Sequence, residues 1–271
     1  MGINRREFLR IAGLSTLMGL GGKAAWELVF PGQALAQYTS KPGALVAKRW
    51  AMVVDMRKMT ESLAAKCIEA CHSAHNVPNM AAPPVDPQVT ISDNQKNRWQ
   101  MKWLWTDSFE HAFPGQEQEH MQERLHKMQF LLLCNHCENP PCVRVCPTKA
   151  TFRRPDGIVM MDMHRCIGCR YCMAGCPYGA RSFNWRDPRP FIAKLNETYP
   201  TREKGVVEKC LFCEERLAKG QMPACVEASQ GAIVFGDLTD PKSKVRELLR
   251  TQYTIRRKPQ LGTNPHVFYI I

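Results

Sequence analysis

The chain has 271 residues, 44% of them hydrophobic, a formal charge of +12 and thirteen cysteines. Its length allows one large domain or two small ones, and its composition excludes a disordered or collagen-like chain. The charge alone would suit nucleic acid or an acidic surface, while the cysteines leave disulfides, structural zinc and iron-sulfur clusters to be separated.

Residues 1–36 read as an address. Arg5-Arg6-Glu7-Phe8-Leu9-Arg10 is a twin-arginine motif, followed by a mildly apolar run and by Ala34-Leu35-Ala36, a small-x-small cleavage site, so cleavage is expected before Gln37. Glycines and charges make the run a poor bilayer span, which needs roughly 20 apolar residues. The twin-arginine route carries folded proteins, which suits a cofactor loaded before export and places the mature chain in the periplasm, peripheral to the cytoplasmic membrane.

Val46 to Asp55 is expected to open the fold as a strand. Cys67-x3-Cys71 follows and resembles the end of a ferredoxin run, but Ala64 and Glu61 stand where its first two ligands belong. Between residues 79 and 128 there is no cysteine. Pro83 to Pro87 reads as a loop, Trp99, Trp103 and Trp105 as buried residues of a strand or insertion, and Gln116 to His126 as surface.

Phe130-Leu131-Leu132-Leu133 leads into the densest stretch, Cys134-x2-Cys137-x4-Cys142-x3-Cys146-Pro147 and then Cys166-x2-Cys169-x2-Cys172-x3-Cys176-Pro177. The second run is the bacterial ferredoxin pattern, in which three close cysteines hold one [4Fe-4S] cluster and the fourth, followed by Pro, reaches the neighbouring one. Exchange of last ligands then assigns Cys134, Cys137, Cys142 and Cys176 to cluster A, and Cys166, Cys169, Cys172 and Cys146 to cluster B. Between the runs, Ala150 to Asp162 reads as a hairpin turning at Asp156-Gly157, and Met160, Met161, Met163 and His164 as packing rather than ligands. A strand after the cysteines recurs at Ala180 to Phe183 and Ala232 to Phe235, as in an internal repeat.

The fourth group is Cys210-x2-Cys213-x11-Cys225-x3-Ser229, with Ser229 where a fourth cysteine is due. Paired by the same exchange with the incomplete first group, it assigns Cys210, Cys213, Cys225 and Cys71 to cluster C. The other corner set would hold one thiolate, Cys67, which cannot carry a cluster. Three [4Fe-4S] clusters are therefore expected on twelve cysteines, with Cys67 a buried free thiol and the vacant site at one end of the line of clusters or off it. A cluster with four thiolates carries about −2 when oxidised, which offsets much of the positive charge and removes the case for nucleic acid. Zinc fingers do not use this spacing, and disulfides suit neither the dense Cys-x2-Cys pairs nor the export signal. His72, His75 and His136 are expected at the surface or hydrogen-bonded.

Beyond residue 236, Asp240 is expected to cap a helix with Pro241 in its first position and Val245, Leu248 and Leu249 on its apolar face. Arg256-Arg257-Lys258 reads as a solvated basic run, and His266 to Ile271 as a strand returning to the sheet. The fold class expected is α+β: duplicated bacterial ferredoxin-like modules with insertions and a C-terminal wrapping tail. Residues 1–36 would be the signal, 37–130 with 205–240 an outer module with one cluster retained and one lost, 131–204 a central module with two, and 241–271 the tail.

The four cysteine groups, Cys137-Glu138-Asn139-Pro140-Pro141-Cys142 and Ala224-Cys225-Val226-Glu227-Ala228 resemble the four-cluster ferredoxin subunits of the complex iron-sulfur molybdoenzyme family (the NrfC, PsrB and DmsB type). The twin-arginine signal, the truncated first group and Ser229, together with Tyr199 to Cys210, are similar to the DsrO (HmeA) type of periplasmic iron-sulfur subunit of DsrMKJOP complexes. That resemblance implies an electron carrier of dissimilatory sulfur metabolism between an NrfD-like, quinone-interacting membrane subunit (DsrP type) and a multihaem cytochrome c (DsrJ type), alongside DsrM-type and DsrK-type subunits. No nucleophile with a base, and no open metal position, marks a substrate site of its own. The alternatives are an electron-transfer subunit of a periplasmic molybdopterin oxidoreductase and a free ferredoxin.

Overall fold

The computed structural model describes residues 42–117 and 120–271. The signal and its cleavage site lie outside the described residues. In chain order the elements are β1 (Trp50–Asp55), α1 (Glu61–Ala74), α2 (Asp93–Arg98), β2 (Leu104–Ser108), α3 (Phe109–Ala112), α4 (Glu123–Lys127), β3 (Gln129–Leu133), α5 (Pro141–Arg144), β4 (Thr151–Arg153), β5 (Val159–Met161), α6 (Tyr171–Ala174), β6 (Ser182–Phe183), β7 (Val207–Glu208), α7 (Glu214–Leu217), α8 (Ala224–Ala228), β8 (Ile233–Asp237), α9 (Lys244–Thr251), β9 (Thr254–Ile255) and β10 (Val267–Ile270). Among these no helix is long and apolar enough to cross a membrane.

One sheet, in the order β8-β1-β10-β9, joins distant parts of the chain. β1 runs antiparallel to β8, with Met52 opposite Phe235, and parallel to β10, with Met52 opposite Val267. Every residue of β1 is buried, and its side chains alternate between two faces as strand geometry requires. Trp50, Met52 and Val54 enter the main core with Phe235 and Tyr269, whereas Ala51 and Val53 pack with Val245 and Ile270 under α9. Three two-stranded ribbons, β2-β3, β4-β5 and β6-β7, carry the cysteine loops.

The expected strand from Val46 therefore forms from Trp50, and the chain's last strand does return to the sheet. The hairpin forms with Gly157 in its turn at φ +86°, a conformation that glycine adopts freely. Trp103 is fully buried, and its indole Nε1 donates to Glu208 Oε2 at 2.8 Å. Several readings are corrected. Trp99 and Trp105 are only partly buried against the core, and Leu125, in the stretch expected at the surface, is buried. The C-terminal helix begins at Lys244, capped by the Ser243 hydroxyl, which accepts from Arg246 N. Asp240 instead closes a turn, accepting at its carboxylate from Lys242 N at 2.9 Å and at its carbonyl from Ser243 N at 3.1 Å. The basic run is not solvated throughout. Arg257 is buried, its Nε donating to Ala112 O at 2.9 Å and its Nη1 to Tyr178 O at 3.4 Å, and Lys258 Nζ donates to Pro177 O at 2.6 Å.

Candidate iron-sulfur sites

Each cysteine group is shaped by the same local device. In the leading Cys-x2-Cys pair of each of the last three groups the residue before the second cysteine is left-handed: His136 at φ +42°, Gly168 at φ +70° and Phe212 at φ +55°. The reversal brings both thiols to one side of a tight loop. At Gly168 only glycine fits, since a Cβ there would stand 2.5 Å from the Gly205 carbonyl. One turn of helix then carries the third cysteine of each set: Cys142 in α5, Cys172 in α6 and Cys225 in α8.

These loops bring the expected sets together. Cys134, Cys137, Cys142 and Cys176 line one pocket, site A. Cys146, Cys166, Cys169 and Cys172 line a second, site B. In both, the cysteine from the other run stands where the exchange rule puts it. Cys71, Cys210, Cys213 and Cys225 are all buried, and burial followed by the charges of Cys210, Cys225 and Cys213 drives the Cys71 thiol well above its ordinary range; these four make site C. None of the thirteen cysteines is in a disulfide.

The donor chemistry fits iron-sulfur clusters. Burial pushes the thiols of Cys137 and Cys210 up to about 12, so these groups hold their protons unless a cation takes their place. Cys146 behaves oppositely. Burial raises it, but hydrogen bonds from the backbone at Thr151, Thr148 and Ala150 and from the Thr148 side chain outweigh that and hold it below the ordinary thiol value. Exposure differs among the sites: Cys169 of site B is exposed, whereas every thiol of site C is buried.

The sites follow one another. Cys134 lies close enough to raise the Cys210 thiol, which joins A to C, and Cys142 does the same to Cys172, which joins A to B. Cys67, fully buried, has its thiol pushed up to about 11 by burial, and it neighbours Cys225 of site C. The positions of the missing ligands are otherwise taken up by packing. Glu61 is exposed and Ala64 is buried in the core. The Ser229 hydroxyl donates to Val226 O at 2.7 Å and accepts from Ile233 N at 3.1 Å, so it is spent on its own loop.

Arg181 and Lys209 carried no signal in sequence, whereas His75 and His136 are hydrogen-bonded as expected. Arg181, buried, lines site A. Burial works against its charge, but Cys142, Cys172 and Cys134 more than offset this and hold its pKa above the usual value. Lys209, fully buried, is pushed below the usual ammonium value by burial. His75, also buried, bonds the Cys71 carbonyl through Nδ1 at 2.7 Å and Glu215 Oε1 through Nε2 at 3.0 Å. His136 is buried and accepts from Val159 N through Nδ1 at 3.0 Å. The C-terminal segment covers site A: Asn264 and Thr263 carbonyls accept from Glu138 N and Asn139 N at 2.9 and 3.0 Å, and the Thr263 hydroxyl bonds the Tyr178 phenol.

Residues 126–190 match the family described as 4Fe-4S dicluster domain. Over its length the chain is 40% identical to the Hdr-like menaquinol oxidoreductase iron-sulfur subunit 1 of Archaeoglobus fulgidus, covering 98% of this chain and 97% of that one. It is 35% identical to the menaquinone reductase iron-sulfur cluster-binding subunit of Nitratidesulfovibrio vulgaris, covering 82% and 88%. ArrB, the iron-sulfur subunit of the arsenate respiratory reductase of a Shewanella species, is 41% identical, but over only 51% of this chain and 73% of the relative.

Proposed function

The chain belongs to the iron-sulfur subunit family of the Hdr-like menaquinol oxidoreductases, and on that footing we propose that it is an electron-transfer subunit with three [4Fe-4S] clusters. Cys134, Cys137, Cys142 and Cys176 would hold the first, Cys146, Cys166, Cys169 and Cys172 the second, and Cys71, Cys210, Cys213 and Cys225 the third. When bound, such clusters supply one-electron redox chemistry, and the protein supplies binding, spacing and electrostatic tuning. The supporting observation is the crossing of ligands: Cys176 lines the cavity of the first run and Cys146 that of the second.

Sites C, A and B then form a relay in that order. The Cys67 and Ser229 corner lies at its C end, where loss of a cluster shortens the path without opening a gap. Site B, with Cys169 exposed, is one port of the relay. The partners are an NrfD-like quinone-interacting membrane subunit of the DsrP type and a multihaem cytochrome c of the DsrJ type, within a Dsr complex of sulfur metabolism that also holds DsrM-type and DsrK-type subunits. The chain works at the periplasmic face of the membrane after twin-arginine export. The full-length match to a menaquinol oxidoreductase subunit favours this over the electron-transfer subunit of a molybdopterin oxidoreductase, since the arsenate reductase subunit aligns over only half of the chain.

The test is to purify the complex by a tag on this chain and identify what accompanies it. A membrane subunit and a haem-containing cytochrome, both reduced or oxidised through this chain when a menaquinol analogue is added, are expected. A molybdenum-containing catalytic subunit in their place would overturn the assignment.

A further inference from the structure

Two buried cations stand at the two joints of the relay. Arg181, 5% exposed, lines site A and turns Nη1 to the Met161 sulfur at 3.7 Å, and Met161 lines site B. Its Nη2 donates to Thr151 Oγ1 at 2.7 Å. Lys209, with no exposed surface, donates from Nζ to the carbonyl of Val159, which lines site A, and to the carbonyl of Cys210, the first ligand of site C, at 2.7 Å. Arg181 therefore spans A and B, and Lys209 spans A and C.

Neither cation has a carboxylate partner among the described residues. A buried charge without a counter-ion is strongly unfavourable, and the hydrogen bonds these side chains make could be made by neutral groups. The negative charge that acts on both cations is that of the site cysteines, Cys134, Cys142 and Cys172 on Arg181 and Cys134, Cys210 and Cys142 on Lys209. Burial keeps solvent and salt from screening that attraction.

We propose that Arg181 and Lys209 are potential-setting residues, each holding positive charge between two successive iron-sulfur clusters and thereby raising the reduction potential of both. The inference rests on the electron-transfer reading above. Reduction adds one electron to a site and takes its total charge from about −2 to −3 with no bond made or broken. The electron comes from the quinol-linked partner in the complex, or from dithionite in a titration. An adjacent fixed cation stabilises the more negative state. It also damps the repulsion between electrons on neighbouring sites, so both can be occupied at once. Site A, flanked by both residues, gains from both.

The test is a redox titration of the full chain with its clusters, followed by electron paramagnetic resonance and compared with Arg181→Gln, Lys209→Gln and the charge-keeping Arg181→Lys and Lys209→Arg. Arg181→Gln is expected to lower sites A and B by about a tenfold change in the reduced-to-oxidised ratio, about 59 mV for a one-electron couple, and to leave C unchanged. Lys209→Gln is expected to lower A and C and leave B. No shift in loaded protein, an equal shift at all three sites, or the same shift in the charge-keeping variants would overturn the proposal. Should Arg181→Gln load poorly, Met161→Glu sets a carboxylate beside the intact guanidinium. It must then lower A and B relative to Met161→Gln, and equal potentials in that pair would overturn the assignment. Wild-type protein without iron and sulfide would contradict the electron-transfer reading itself.

Discussion

Arg202 Nη2 lies 2.8 Å from Glu208 Oε2, with the two side chains 3% and 0% exposed. Glu208 also accepts from Trp103 Nε1 at 2.8 Å and from the Asn184 side chain, while Arg202 donates to the carbonyls of His75 and of Asn76, the latter at 2.7 Å. The pair thus ties the strand before Cys210 to the helix end after Cys71, the two halves of site C. Removing one partner leaves an uncompensated buried charge, so Glu208→Ala is expected to cost about 3–5 kcal/mol in chemical denaturation and to release iron from site C first. A loss well under about 1 kcal/mol, the level of an exposed pair, would contradict that account.

At Ser229 the hydroxyl closes its own loop and Glu61 points into solvent. Restoring one sulfur does not rebuild the missing corners. Ser229→Cys is expected to leave the iron content per chain unchanged, and Ser229→Ala to cost about 1 kcal/mol for the lost hydrogen bonds. Four additional irons in Ser229→Cys would show that the site is one ligand short rather than dismantled.

His266 is buried, with Nε2 at 3.0 Å from Glu138 Oε2, a carboxylate that Arg153 and Arg49 also hold at 2.8 and 3.3 Å. Burial outweighs the attraction of Glu138 and holds the imidazole below its ordinary pKa. The unfolded chain therefore binds the proton first, near pH 6.5. This contribution to stability is complete above that value and is lost as pH falls through it toward the lower folded pKa. Denaturation midpoints between about pH 7.5 and pH 5.5 should fall more steeply in wild type than in His266→Gln; equal slopes would remove His266 from the explanation.

Arg257 and Lys258 fasten the C-terminal segment over site A through the carbonyls of Ala112, Tyr178 and Pro177. Hydrogen bonds from charged donors are worth about 1.5–3 kcal/mol each. Arg257→Met is expected to destabilise by about that amount and to speed the loss of site A's cluster in air, read as the decay of its resonance signal. Decay at the wild-type rate would mean that the segment does not shield the site.

The cysteine sets were legible because ligation imposes short, local spacing, and the exchange of Cys146 and Cys176 follows from that spacing. Strands were legible where residues alternate across two packed faces, as Trp50 to Val54 do. The helix start was not, because Asp240 and Ser243 are both acceptable caps. The choice falls to Ser243, whose hydroxyl also donates to the Asp237 carbonyl at 2.6 Å. Burial of Arg257, Arg181 and Lys209 could not be read from their neighbours in sequence. Partners far along the chain hold each of them, Ala112 and Tyr178 for Arg257, Thr151 for Arg181 and Val159 for Lys209.

Iron and acid-labile sulfide, counted per chain on oxygen-protected protein, bear most directly on the claim that twelve thiolates cradle three clusters and a fourth site is lost. About twelve of each is predicted from three four-iron clusters. About sixteen would contradict the loss of the fourth site, and zinc in place of iron would contradict the account as a whole.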